Sequence, residues 1–285
     1  MIGITGSTGG VGSRTVRHLL AEPDCPPLVA IARRPRAVPR RDGLTARGAD
    51  YDDPASLERA FAGLETLVFV SSDGRAETMA RHHRNVIAAA VGAGVGHVVY
   101  TSILDVEPDS RFYYSPAHRE TEARLAAAGI DHCLARTSIF ADFFTETWLA
   151  PALASGELAL PIGGSRMSLV SREDVAKALA SAARRRSEGV VELTGPAALT
   201  GGESCAAAAA AAGRPLRFSD LDASEYRSGL RAEGEPEWLV DAYATMFDSC
   251  REGRFSTVSP DIEELTGRPQ ETFAEFLRRS GIPVG

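Results

Sequence analysis

Short apolar runs alternate with stripes of helical period through the first half of the chain. Met1–Thr5, Leu28–Ala32, Thr66–Val70, His97–Tyr100 and Asp131–Ala135 read as strands, most of them apolar at nearly every position. Between them, Val11, Val16, Leu19 and Leu20 keep helical spacing. Asp53 and Pro54, a capping residue and a proline at the first helical position, open a helix that runs to Phe61. A longer helix passes through Asn85 to Val91 and stops where Gly92–Gly96 break it. Another covers Pro116–Ala128. This alternation predicts an α/β fold, a doubly wound parallel sheet covered on both faces.

The pattern changes after Arg136. Ile139, Phe140, Phe143 and Phe144 cluster at the carboxyl end of a strand, where open α/β sheets bind ligands, and are expected to line a substrate pocket. Ser171 and Asp174 have the spacing of a capping box for a helix through Leu179, and Thr200 with Glu203 has the same spacing before Ala206–Ala212. Alanine's high helix propensity makes that run a helix. Residues 221–281 read as three or four short helices without a repeat. The expected organisation is a sheet domain over 1–135 with return segments near 168–195. A smaller, mostly helical substrate lobe is expected over 136–167 and 196–285.

The first strand runs into Gly6, Gly9 and Gly12 at GxxGxxG spacing, with a helix following. Gly6 permits the sharp turn, Gly9 admits a pyrophosphate close to the backbone, and Gly12 lets the helix pack near the sheet. The unpaired N–H groups at the helix start then face the anion. An acidic residue about twenty positions further on would hold a ribose 2′-hydroxyl; Arg33, followed by Arg34, stands there instead. A guanidinium can pair with a 2′-phosphate, so the expected cofactor is NADPH in a Rossmann-type domain.

A net charge of −7 over 285 residues argues against nucleic acid or an anionic membrane as a main partner. The four cysteines have no metal-ligand or CxxC spacing and read as unpaired thiols of a reducing cytoplasm. A strand starting at Met1 leads us to expect no signal or transit peptide, and no apolar run is long enough to span a bilayer.

Of 31 basic residues only Lys177 is lysine. The Tyr–Lys pair, four residues apart, by which short-chain dehydrogenases lower a phenol's pKa therefore cannot form. In its place stand Tyr114 and His118, Tyr-x-x-x-His, between the His97–Tyr100 strand and the next helix. Tyr114 is a candidate proton donor; His118 is a candidate proton relay or a partner of the nicotinamide ribose. His82 and His83 read as surface residues, no spacing suggests a metal site, and Ser102 lacks the GxSxG setting of a hydrolase nucleophile.

Ile2–Gly12, Ala30–Pro35, Ala49-Asp50-Tyr51, His83–Ile87 and Tyr100-Thr101-Ser102 together resemble the NmrA-like atypical short-chain dehydrogenase/reductase family. Within it the chain is most similar to bacterial NADPH-dependent quinone oxidoreductases and triphenylmethane reductase. The resemblance implies that Gly6, Thr8, Gly9, Gly10, Val11 and Gly12 hold the pyrophosphate and Arg33, beside Arg34, the 2′-phosphate. It places Asp50 and Tyr51 by the adenine and Ser71 and Ser72 by the ribose and phosphates. Tyr100, Thr101, Ser102, His118 and Arg136 are placed around the nicotinamide half, and Glu235-Pro236-Glu237 in a mobile helical region.

The resulting expectation is an NADPH-dependent oxidoreductase, cytoplasmic, monomeric or homodimeric, passing hydride to a small quinone-like or conjugated aromatic acceptor. The alternatives are a non-catalytic NADP-binding redox sensor and a biosynthetic carbonyl or enone reductase that uses Tyr114 as acid.

Overall fold

A computed structural model of the chain describes residues 1–281. The first half runs β1 (Ile2–Ile4), α1 (Gly10–Leu20), β2 (Leu28–Ala32), β3 (Leu44–Gly48), α2 (Pro54–Phe61), β4 (Thr66–Phe69), α3 (Ala76–Gly92), β5 (His97–Ile103), α4 (Ser115–Ala127) and β6 (Asp131–Thr137). Next come α5 (Ala141–Phe144), a π-helical turn (Thr145–Leu149), α6 (Ala150–Ser155), β7 (Glu157–Leu160), β8 (Arg166–Met167), α7 (Arg172–Arg185) and β9 (Gly189–Leu193). The remainder is β10 (Leu199–Thr200), α8 (Gly201–Ala212), β11 (Arg217–Asp220), α9 (Ala223–Ala232), α10 (Glu237–Arg251), α11 (Asp261–Thr266) and α12 (Phe273–Ser280).

Seven strands form one sheet in the order β3-β2-β1-β4-β5-β6-β9, and every pairing in it is parallel. Helices cover both faces, which is why β1, β2 and β4 are nearly continuous apolar runs. On one face Ile2, Ile4, Val68 and Val99 pack with Val11, Val16 and Leu19 of α1 and Val175 and Leu179 of α7. On the other, Ile31, Leu67, Phe69 and Tyr100 pack with Leu57 and Phe61 of α2, Val86 of α3 and Leu125 of α4. The order reverses between β1 and β4, so the crevice of a doubly wound sheet opens at their carboxyl ends.

A third core belongs to the lobe and gathers Phe144, Leu149, Met167, Val240, Phe247, Phe255 and Phe276. It is not purely helical: β11 pairs with β7 and β10 with β8. Several expectations are corrected here. β3 has no apolar run to announce it, because it is an edge strand with Thr45 and Ala46 exposed. Ser171 caps α7 by accepting from the Asp174 N–H, but the Asp174 carboxylate turns to Lys177 and the Glu271 N–H, so there is no capping box. α11 packs on the sheet domain through Ile262 and Leu265, inside a segment expected to be lobe throughout. Val240, Phe247 and Cys250 of α10, the helix that follows Glu235-Pro236, are fully buried in the lobe core.

Candidate active site

The turn from β1 into α1 is built on two glycines. Gly6 adopts a φ of +58°, and its carbonyl accepts from the Gly9 N–H at 2.8 Å. A Cβ on Gly12 would collide with that same carbonyl. The first turn of α1 carries no acidic residue, and Thr8, Gly9 and Gly10 are exposed while Val11 and Gly12 are buried. The result is an open cradle of backbone amides, a good fit for a diphosphate. Ser7 ties it to β2, donating through Oγ to the Ile31 carbonyl at 3.0 Å. Arg33 and Arg34 follow β2, exposed and, among the described residues, in no ion pair.

Tyr51 and the end of β4 form the next wall. The Tyr51 hydroxyl donates to the Val70 carbonyl at 2.8 Å, its ring meets Phe69 edge-on, and burial raises its pKa. Asp50 beside it is exposed. The Ser71 N–H donates to Thr101 Oγ1 at 2.7 Å, and the Ser72 N–H to His83 Nε2 at 3.2 Å. Ser72 Oγ is buried with no partner among the described residues, an orphan that a nucleotide oxygen would satisfy.

Deeper in, the expected nicotinamide residues divide. His118 lies in a dry setting that lowers its pKa to about 3, so near neutrality it is a neutral ring and not an imidazolium acid. Tyr100 is fully buried behind it, with its hydroxyl 2.7 Å from His118 Nδ1. Ser102 is likewise buried and donates to Glu122 at 2.6 Å; Arg136 grips the same carboxylate through Nε at 3.0 Å and Nη2 at 2.6 Å. The group that organises Ser102 and Arg136 is thus Glu122, which sequence reasoning missed although it stands four residues beyond His118 on one helix face. His83, expected at the surface, is 1% exposed and holds Ser72.

Tyr114 is partly exposed, yet its hydroxyl donates to the Gly74 carbonyl at 2.8 Å, and burial raises its pKa. Among the described residues no lysine or arginine hydrogen-bonds it, so no cation offsets that rise.

Phe144 is fully buried against Trp148 and Phe273, so it supports the pocket wall without facing a ligand. Ile139 is 6% exposed. Phe140 stays half-buried under the Arg172 guanidinium, 5.7 Å from its ring centroid. Phe143 belongs to a half-buried aromatic trio with Trp148 at 5.0 Å and Tyr243 at 5.9 Å. Trp148 comes from the π-helical turn and Tyr243 from α10; neither could be placed from sequence, because the contact joins distant segments. Tyr113 bridges the cleft's edges, its hydroxyl accepting from the Ala76 N–H and its own N–H donating to Thr245 on α10.

Comparison with known proteins agrees with this geometry. Residues 6–186 match the family described as NAD(P)H-binding. Quinone oxidoreductase 2 of Escherichia coli is 33% identical over 97% of each chain. A solved E. coli NADPH-dependent quinone oxidoreductase in complex with NADPH matches with a TM-score of 0.90 and 32% identity, over 98% of this chain and 99% of that one. The (4-alkanoyl-5-oxo-2,5-dihydrofuran-3-yl)methyl phosphate reductase of Streptomyces griseus is also 33% identical, over 97% of this chain and 96% of its own. Triphenylmethane reductase of a Citrobacter species, complexed with NADP(H), has a TM-score of 0.88 at 26% identity, over 98% and 100% of the two chains. With the cradle at the switch point of a parallel sheet and a match over most of the sheet domain, the chain belongs to the NAD(P)H-binding family.

Proposed function

We propose that the protein is an NADPH-dependent oxidoreductase that passes hydride to a quinone-like or conjugated aromatic small molecule. The observation that carries this reading is the exposed amide cradle at the switch point of the parallel sheet, with Arg33 and Arg34 in no ion pair among the described residues, together with the half-buried rings of Phe143, Trp148 and Tyr243 in the lobe. NADPH, when bound, supplies the hydride. The cradle would take its diphosphate and Arg33 or Arg34 its 2′-phosphate. Phe143, Trp148 and Tyr243 would stack a flat acceptor and exclude water, so that the work of the protein is positioning. An electron-poor quinone needs no strong acid before hydride arrives, in keeping with a Tyr114 phenol that nothing activates. Four unpaired cysteines, Cys25, Cys133, Cys205 and Cys250, suit a reducing cytoplasm. Among the described residues, no helix is long and apolar enough to cross a membrane.

The S. griseus relative favours a second reading, reduction of an enone, where charge develops on a carbonyl oxygen and protonation matters more. Single-turnover oxidation of bound NADPH by a quinone, a cationic triphenylmethane dye and an alkanoyl butenolide separates the two. Rapid turnover of the quinone supports the first reading; turnover of the butenolide alone replaces it with the second. Tight NADPH binding without oxidation by any of the three leaves only a sensor.

A further inference from the structure

Three elements send polar side chains into one dry space behind the cleft: His83 from α3, Tyr100 from β5, and His118 and Thr121 from α4. Their exposures are 1%, 0%, 3% and 1%. The hydrogen bonds among them can be followed in one direction. The Ser72 N–H can only donate, and it donates to His83 Nε2. A neutral ring that accepts at Nε2 carries its proton at Nδ1. That Nδ1 lies 2.8 Å from Thr121 Oγ1 and 3.3 Å from the Tyr100 hydroxyl oxygen. Thr121 passes its own hydrogen to the Ala117 carbonyl at 2.7 Å, which can only accept.

Thr121 Oγ1 is already engaged by the His83 Nδ1–H, so the nearest acceptor left to the Tyr100 hydroxyl is His118 Nδ1 at 2.7 Å. Burial keeps the phenol protonated and both rings neutral. Accepting at Nδ1 leaves the His118 proton on Nε2. That atom makes no hydrogen bond among the described residues and, unlike Ser72 Oγ, is not sealed from solvent. The other titratable groups facing the cluster are His82 on α3, Tyr51 beside β4 and Glu122 on α4.

We propose that this buried chain locks His118 in one tautomer, so that Nε2–H is a permanent hydrogen-bond donor offered to the bound cofactor or acceptor, with His83, Thr121 and Tyr100 as positioning residues. A fixed donor suits an oxygen that holds or gains negative charge: the nicotinamide carboxamide, a ribose hydroxyl oxygen, or a quinone oxygen after hydride transfer. That the ligand is one of these rests on the function proposed above; the tautomer does not.

Nitrogen-15 NMR of the full ligand-free chain labelled at histidine reads each ring's tautomer without turnover, with His83→Gln and His118→Gln assigning the signals. We expect His118 to be protonated at Nε2 only and His83 at Nδ1 only, unchanged between about pH 5.5 and 8. Tyr100→Phe should move His118 toward the Nδ1–H form and weaken NADPH binding about fivefold, with the His97 signal as a control for folding. A parent His118 protonated at Nδ1, or titrating in that range, overturns the proposal, and the parent spectrum decides even if Tyr100→Phe fails to fold. A folded Tyr100→Phe protein whose His118 stays wholly Nε2–H removes Tyr100 from the role. The expected tautomers without NADPH oxidation by any acceptor would leave this inference standing and overturn the proposed function alone.

Discussion

Arg33 and Arg34 are charged side chains without an ion-pair partner among the described residues, directly after β2 and beside the amide cradle. A guanidinium held there gains two charge-assisted hydrogen bonds from a 2′-phosphate and none from a 2′-hydroxyl. NADPH should therefore bind at least about tenfold more tightly than NADH, or about 1.4 kcal/mol, and Arg33→Ala should erase most of that gap. Titration of both cofactors decides it; equal affinities in the parent protein would remove Arg33 from the site. Tyr114 makes the opposite case, a suggestive residue with no activation. Its phenol is engaged with the Gly74 carbonyl and its pKa is raised, so Tyr114→Phe should cost quinone reduction less than about tenfold in kcat. A loss of about a hundredfold or more would restore an acid-dependent mechanism.

At the scale of elements, the π-helical turn between α5 and α6 sets the angle at which Trp148 leaves the helix, and α10 brings Tyr243 to within 5.3 Å of it. α5 is itself pinned to the start of α7, because Asp142 accepts from the Arg172 N–H at 2.8 Å. The aromatic wall and the cradle therefore belong to different elements and can be separated by mutation. Tyr243→Ala should raise KM for an aromatic acceptor about fivefold, the loss of about 1 kcal/mol of ring contact, while the Kd of NADPH stays unchanged. Parallel losses in both constants would show that the wall touches the cofactor as well. Away from the cleft, Thr200 closes a complete capping box with Glu203 at the start of α8. Thr200→Ala should lower unfolding stability by about 1 kcal/mol in urea titration and leave both ligands unaffected.

The whole molecule is a sheet domain and a lobe that share the chain back and forth, since α7 and β9 return to the sheet and α11 follows them after much of the lobe is built. The buried histidines tie its stability to pH. His83 and His118 are both held below the pKa of an unfolded histidine, so their contribution is complete above about pH 6.5 and is lost as pH falls toward the folded values. From pH 7 to 5, His118 alone should remove about 2 kcal/mol, with His83 acting in the same direction. Urea midpoints measured across that range check this, and a flat profile would mean that neither ring is buried neutral.

Local chemistry made the apolar strands and the helices of the sheet domain, the glycine turn and the Thr200 cap legible in the amino-acid sequence, because each depends on residues within a few positions of one another. The same holds for Arg33, whose meaning comes from following the second strand of a nucleotide fold. Tertiary structure alone decided that Phe144 is core while Trp148 and Tyr243 line the wall, since a helical apolar stripe does not say which of its rings meets a neighbour and which meets a cleft. It alone turned His83 inward, joined Glu122 to Ser102 and Arg136, and denied Tyr114 an activating cation. Those outcomes depend on burial and on partners brought together by the parallel sheet from tens of residues away, and burial is what keeps the His83 and His118 rings neutral and the Tyr100 phenol protonated.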